Sequence, residues 1–294
     1  MVDQETTRME DQEMIQGLNP FPFTKVIWHS VDQMQEWGPI LKRAAGLHDK
    51  AEYEMVKLGH RACATLHLSP STYDKWIERI QNDGLVWLPI QWTKNYSGFA
   101  HQHYPTKPGD PDSSVYGVLA RNIRDAEEFR EASSYYAPKK NVDHETIGRL
   151  LGFPECCVKA FCEWWPRWVD PVNKAAEASP HEIVDLETHE AIKVTPHVAT
   201  NQMLRYSGYR LTSHFPCSLN CEASKEVGKV WLDTCKKIDP KGTEYLLRIL
   251  TLPGEWSCLH GIAQVETPHF TIVTNSMPTR KKIAVKWDEV ENFE

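Results

Sequence analysis

Alternating and three-to-four-spaced apolar positions divide the chain into three stretches. The run Thr24–His29 (TKVIWH) has the β-branched and aromatic content of a strand. Apolar residues at helical spacing over Val31–Leu47 and Asp49–Leu66 predict two helices, and a third is expected after Ser71, closed by Asp83 and Gly84. LVWLPIQW (85–92) and SVYGVLAR (114–121) read as strands, and the proline-rich YPTKPGDPDSS between them is a loop. After a polar tail over residues 1–18, the region 19–135 is therefore expected to be mixed α and β.

A helix over Ile123–Ser134 and the linker-like YAPKKN (136–141) lead into a different pattern. Asp143 has the chemistry of a helix N-cap and Gly152 that of a stop. Pro154 suits the first position of a second helix, ECCVKAFCEWW, which Pro166 limits. Val158, Phe161, Cys162 and Trp165 fall at i, i+3, i+4 and i+7, the spacing of a core-facing stripe. A helix near Thr200–Tyr206 and a long one from about Ser218 to Lys237 complete a mainly helical module over 139–252. GIAQVET, HFTIVTN and KIAVKW, separated by proline-containing turns, predict a small antiparallel sheet over 253–294. The expected class is α+β: a mixed N-terminal part, a central cysteine module and a small C-terminal sheet.

Charge narrows the function. Lysine and arginine total 33 against 40 aspartate and glutamate, a formal net charge of −7, so a broad basic face for nucleic-acid backbone is not expected, although a local basic groove is compatible. No apolar run approaches the ~20 residues that span a bilayer, and Met1–Gln16 has no apolar signal core. The expected location is cytoplasmic, without a membrane partner. In a reducing compartment the eight cysteines read as metal ligands or reactive thiols where they cluster, and as small core residues where they do not. Cys63, Cys162, Cys235 and Cys258 are scattered; Cys156, Cys157, Cys217 and Cys221 form two tight pairs.

The pairs carry the candidate chemistry. Cys156 and Cys157 fall in the first turn of a predicted helix, where unpaired N–H groups and the helix dipole favour a thiolate. Cys217 and Cys221 follow a second Phe-Pro dipeptide, and on a helix their spacing of four would put both sulfurs on one face. Adjacent cysteines project about 100° apart on a helix, so zinc would more naturally take one of them together with His214, Cys217 and Cys221. An iron–sulfur cluster could accept Cys156, Cys157, Cys217 and Cys221 on different irons and is the preferred cofactor of this reading, with zinc second. Cysteines buried for packing alone are the third alternative.

The strings IGRLLGFPECCVKAF and HFPCSLNC resemble the signature of an uncharacterised, largely archaeal family in which a G-[FY]-P-x-C-C-V element pairs with a P-C-S-x-x-C element. The resemblance covers about residues 146–228. It implies that Cys156, Cys157, Cys217 and Cys221 act as a unit and carries no known activity with it.

Lesser candidates complete the reading. Glu155, beside the cysteine pair, is a candidate general acid or base, or an ordinary acidic first-turn residue. His101 and His103 could share one side of an extended segment, and Cys258 and His260 offer a thiol and an imidazole. Trp164, Trp165 and Trp168 could stack a nucleobase or pack a core, and Arg121, Arg124, Arg149 and Arg205 could take a phosphate or carboxylate if they converge. The functional expectation is a metal-dependent enzyme acting on a small polar substrate or a nucleobase. A zinc-stabilised binding module that contacts a nucleic acid or a protein is the alternative.

Overall fold

Strand β1 (Thr24–Trp28) does not pair with the strands that follow it in sequence. It pairs antiparallel with β10 (Phe270–Asn275), Thr24 opposite Thr274 and Trp28 opposite Phe270. The computed structural model describes residues 24–95, 103–105, 113–133, 142–167, 170–184, 191–259 and 262–275. Within them the chain forms two antiparallel sheets. The first has six strands in the order β1-β10-β9-β8-β7-β6, with β6 at Glu182–Ile183, β7 at Ile192–Val194, β8 at Gly254–Leu259 and β9 at Ile262–Glu266. The C-terminal sheet is therefore not small, because strands from the N-terminus and from the cysteine module extend it on both sides of the expected hairpins.

One core joins this sheet to helices. Trp256, Val265, Phe270 and Ile272 meet Trp37, Ile40 and Leu41 of α1 (Val31–Ala44), with Trp231 and Cys235 and with Leu246, Ile249 and Leu250 from two helices described below. Ser30 caps α1 by accepting from the Gln33 N–H, which stabilises a helix start by about 1 kcal/mol. Helix α2 (Leu47–Lys57) faces two ways. Leu47, Ala51 and Met55 enter the first core, while Tyr53 and Val56 enter a second with Ile80 and Leu119.

The second sheet has the order β2-β5-β3-β4, with β2 at Cys63–Leu68, β3 at Val86–Asn95, β4 at His103–Pro105 and β5 at Ser113–Ala120. Every residue of β5 is buried, because both faces are covered. Tyr53 and Ile80 lie on one side, the latter from α3 (Tyr73–Asn82). On the other side lie Phe129 of α4 (Ile123–Ala132) and Leu150 of α5 (His144–Leu150).

Three expected helices are corrected. The helix proposed over Asp49–Leu66 stops at Lys57, where Gly59 turns the chain at φ 77°, and Cys63–Leu68 then pairs with β5. Around Thr200–Tyr206 there are turns and a single 3-10 turn, Arg205–Ser207, held by side-chain bonds rather than a helical ladder. The long helix proposed from Ser218 begins at Glu222 and is α8 (Glu222–Ile238). The last helix, α9 (Pro240–Leu250), was not expected; Asp239 caps it and Pro240 opens it, the arrangement that favours a helix start. The tail over 1–18, the segment 136–141 and KIAVKW lie outside the described residues. Among the described residues no helix is long and apolar enough to cross a membrane.

Candidate metal centre

Helix α5 starts on a cap, the Asp143 carboxylate accepting from the Thr146 N–H at 3.0 Å. It ends against α6 (Glu155–Trp164). The approach is close. A Cβ at Gly148 would lie 2.5 Å from Cγ2 of Val158, so only glycine lets α6 seat here. That contact fixes the first turn of α6, which carries Cys156 and Cys157.

The opposing cysteines sit on an irregular segment that is anchored independently. Leu219 is fully buried; its N–H donates to Ser179 Oγ at 2.8 Å and its carbonyl accepts from the Thr200 hydroxyl. Cys217 lies in this loop and Cys221 is the N-cap residue of α8. The expectation that the two share a helical face is thus corrected, because the turns before Glu222 direct both sulfurs inward without a helix.

The four sulfurs converge. All Sγ atoms of Cys156, Cys157, Cys217 and Cys221 lie within 4.8 Å of one another. Cys156 and Cys157 are 3.8 Å apart, and each is 3.7 Å from Cys221. Adjacent cysteines therefore do reach a common point, despite their angular separation on the helix. The Cys217 N–H donates to Cys157 Sγ at 3.4 Å, and Ser224 Oγ lies 3.2 Å from the same sulfur. His214 is not among the converging groups; its Nε2 is hydrogen-bonded to Ser224 Oγ at 2.7 Å. Cys157, Ser224 and His214 form a buried chain.

Electrostatics distinguish the thiols. Burial drives Cys157 up strongly and Cys217 up to about 12, with the neighbouring sulfurs adding to the effect. At Cys221 burial acts in the same direction, but hydrogen bonds from the Ser224 side chain and backbone, and from the Cys217 and Cys156 thiols, outweigh it and hold the group at about 7. Burial lowers His214 to about 3, helped by the charges of Arg205 and Arg61, so its imidazole is neutral. Four mutually close thiols cannot all ionise without a cation between them, and a bound metal ion would release their protons.

One wall of the centre borders a cavity of about 240 Å³ lined by Cys157, His214, Phe153, Phe161, Trp165 and Phe215, among others. Phe161 stacks on Trp165 at 5.3 Å and on Phe215 at 5.9 Å between ring centroids. Val158, Phe161 and Trp165 of the stripe expected to face a solid core therefore face this aromatic chamber, and Cys162 is half-buried rather than part of the core. Cys63 and Cys235 are buried and pushed up to about 12 by desolvation.

The remaining candidates are dispersed. Glu155 is exposed and paired with Lys159 at 2.6 Å, which holds its carboxyl below the usual range. Arg149 pairs with Glu128 at the surface, Arg121 and Arg124 are exposed, and Arg205 is buried elsewhere. His101, His260, Trp168 and the side chains of His103 and Cys258 lie outside the described residues. Ser224 was missed, and no motif marks it: it is one serine in a helical first turn.

Residues 122–241 match the family described as Protein of unknown function (DUF483), a span that takes in both cysteine pairs. No curated protein and no solved structure matches the chain.

Proposed function

We propose that Cys156, Cys157, Cys217 and Cys221 bind one tetrahedral metal ion, zinc, which ties the first turn of α6 to the start of α8 and completes the wall of the aromatic chamber. The sulfur spacing carries the reading. With zinc–sulfur bonds of about 2.3 Å, the edge of a tetrahedron is about 3.8 Å; the separations among Cys156, Cys157 and Cys221 are 3.7, 3.7 and 3.8 Å, and the Cys217 sulfur lies within 4.8 Å of each. A four-iron cluster attaches its thiolates to different irons and would spread the sulfurs well beyond one ion's coordination shell. In this reading His214 supports Cys157 through Ser224 as an outer partner, the arrangement that tunes and orients a ligand.

Four protein ligands make a closed site, which favours structural metal and a binding function for the chamber. A specific observation keeps an enzyme in view as the second reading. Cys156 is exposed while Cys157 and His214 line the chamber, so the centre is reachable from two sides, and exchange of one thiolate would open a coordination position. The substrate would be a small molecule with a flat apolar part, a nucleobase among them.

The test is metal and acid-labile sulfide analysis after anaerobic purification, with cobalt substitution to report the ligand field. One zinc per chain without sulfide, a tetrahedral tetrathiolate cobalt spectrum, and loss of both in the Cys217→Ser, Cys221→Ser double variant are expected. Iron with stoichiometric sulfide would replace zinc by a cluster, and no metal in either protein would end the proposal.

A further inference from the structure

Arg205 is 6 % exposed, yet no carboxylate among the described residues forms an ion pair with it. Its guanidinium rests on neutral groups. Nη1 donates to Gln202 Oε1 at 2.7 Å, Nη2 donates to the Ser213 carbonyl at 3.3 Å, and Cζ lies 3.8 Å from the centre of the Phe215 ring. The buried Nε has no hydrogen-bond partner. Removing a charge from water without a counter-charge is among the most expensive events in folding, normally avoided by pairing.

The same residue lines a cleft of about 820 Å³ between α2, β2, α3 and the turn at 205–210. Arg210 lines it too. Its Nε is likewise buried without a partner, and its guanidinium reaches Asp49 only at 3.6 Å. The acidic groups of the cleft are already engaged with other cations: Glu52 with Arg61 at 2.7 Å, Glu54 with Arg79 at 3.4 Å, and Asp49 with Arg210. Arg205 is the cation without an ion-pair contact; the carboxylates of Asp170 and Glu52 act on it only from a distance. Burial and the like charge of Arg210 hold its pKa down to about 9, which still leaves it charged at neutral pH.

We infer that this cleft binds an anionic small molecule, its phosphate or carboxylate group taken by Arg205 and Arg210. The fork of a guanidinium matches the paired oxygens of either group, and both arginines line the cleft with hydrogen-bonding capacity their protein neighbours leave unfilled. Trp76 and Tyr53 line the same cleft and give a planar portion of the ligand a surface to lie against, so a molecule the size of a mononucleotide fits the space and the chemistry. The inference is independent of the metal: it uses none of the four cysteines.

The experiment is thermal melting and calorimetric titration of the metal-loaded full chain with pyrophosphate, adenosine monophosphate and citrate at millimolar concentration, against adenosine and chloride at matched ionic strength. At least one oxyanion should raise Tm by several degrees with saturation, since a ligand bound only by the folded state stabilises it in proportion to the logarithm of its concentration; adenosine alone should not. Pyrophosphate or the nucleotide acting alone identifies a phosphate site, citrate alone a carboxylate site. Arg205→Met should abolish the increment, whatever small change the loss of its bonds to Gln202 and Ser213 makes to the Tm measured in chloride. Arg210→Gln, less buried and safer to fold, should weaken affinity at least tenfold, and Arg149→Met should change nothing. Zinc content should be unaltered throughout, which separates this result from failure of the metal centre. No oxyanion effect on the wild type, or an effect that persists in both Arg205→Met and Arg210→Gln, overturns the inference.

Discussion

The cysteine centre and the arginine cleft share the segment Ser213–Phe215, yet they hold buried polar groups in opposite ways. Around His214 the groups answer one another. Its ring meets Ser224, Ser224 meets Cys157, and the sulfurs close on a single point. At Arg205 the Ser213 carbonyl and the Phe215 ring support the guanidinium without neutralising it. The first arrangement is what a fixed ion needs, with ligands set at coordination distance before it arrives. The second leaves charge facing open volume, which is what reversible recognition needs, because a ligand must enter and leave. A closed inner geometry beside a larger charged cleft separates holding the fold from taking a ligand.

The comparison breaks first at the metal. If the four thiols are bound by one ion, a strong zinc chelator or Cys157→Ser should cost on the order of 5 kcal/mol or more, seen as a large fall in the urea midpoint. Unchanged unfolding in both cases would reduce the cysteines to packing. Next comes the contrast between two buried arginines. Arg61 pairs with Glu52, the two side chains only 2 and 14 % exposed, so Arg61→Met leaves a carboxylate without its partner and should lose about 3–5 kcal/mol. Arg205→Met strands no ion-paired carboxylate, only the neutral Gln202 and Ser213 oxygens, and should cost less. Equal losses from the two substitutions, by denaturant titration in the absence of oxyanion, would erase the distinction.

A smaller effect concerns Asp170, the buried cap of α7 (Pro171–Glu177), which accepts from the Val172 N–H at 2.8 Å. Burial raises its pKa from 3.8 to about 6, against the lowering effect of its hydrogen bonds and of Arg205. The folded state therefore binds the proton more tightly than the unfolded chain. Stability from this group is fully present below the unfolded pKa, falls as pH rises from about 4 to about 6, and is level above that, a change of about 3 kcal/mol at most. Neutral His48 and His214 act in the opposite sense, so the quantity to measure is the difference between wild type and Asp170→Asn across that window. A flat difference would show that Asp170 titrates normally.

Much of the cysteine centre was legible because its pairs are close in sequence and flanked by residues with fixed backbone roles, such as Asp143 and Pro154. Spacing revealed which cysteines belong together but not their geometry. A spacing of four between Cys217 and Cys221 implies a shared helical face only if the segment is helical, and turns held by Ser179 and Thr200 prevent that. The stripe of Val158, Phe161 and Trp165 announced a face turned from solvent; periodicity has no means of telling a filled core from a cavity. The arginine cleft was legible only in part: Arg205 was named as a candidate for a phosphate or carboxylate, but its neighbour Arg210 and the distant Arg79, rather than Arg121, Arg124 or Arg149, are the arginines that share its cleft. The sheets were legible strand by strand. Their partnership was not, as the RACATLHL run at 61–68 shows: its apolar content suits a helix as well as a strand until β5 is beside it.

The pairing of β1 with β10 has a consequence for how the protein is made. Thr24 finds its partner at Thr274, 250 residues later. During synthesis the six-stranded sheet cannot be completed until nearly all of the described chain has left the ribosome, and Val26 and Trp28 must wait without the neighbours that later shelter them. Closing so long a loop is entropically slow, and a waiting apolar strand is a surface on which nascent chains associate. Yield from a cell should therefore depend on chaperone supply more steeply than the stability of the finished protein would suggest.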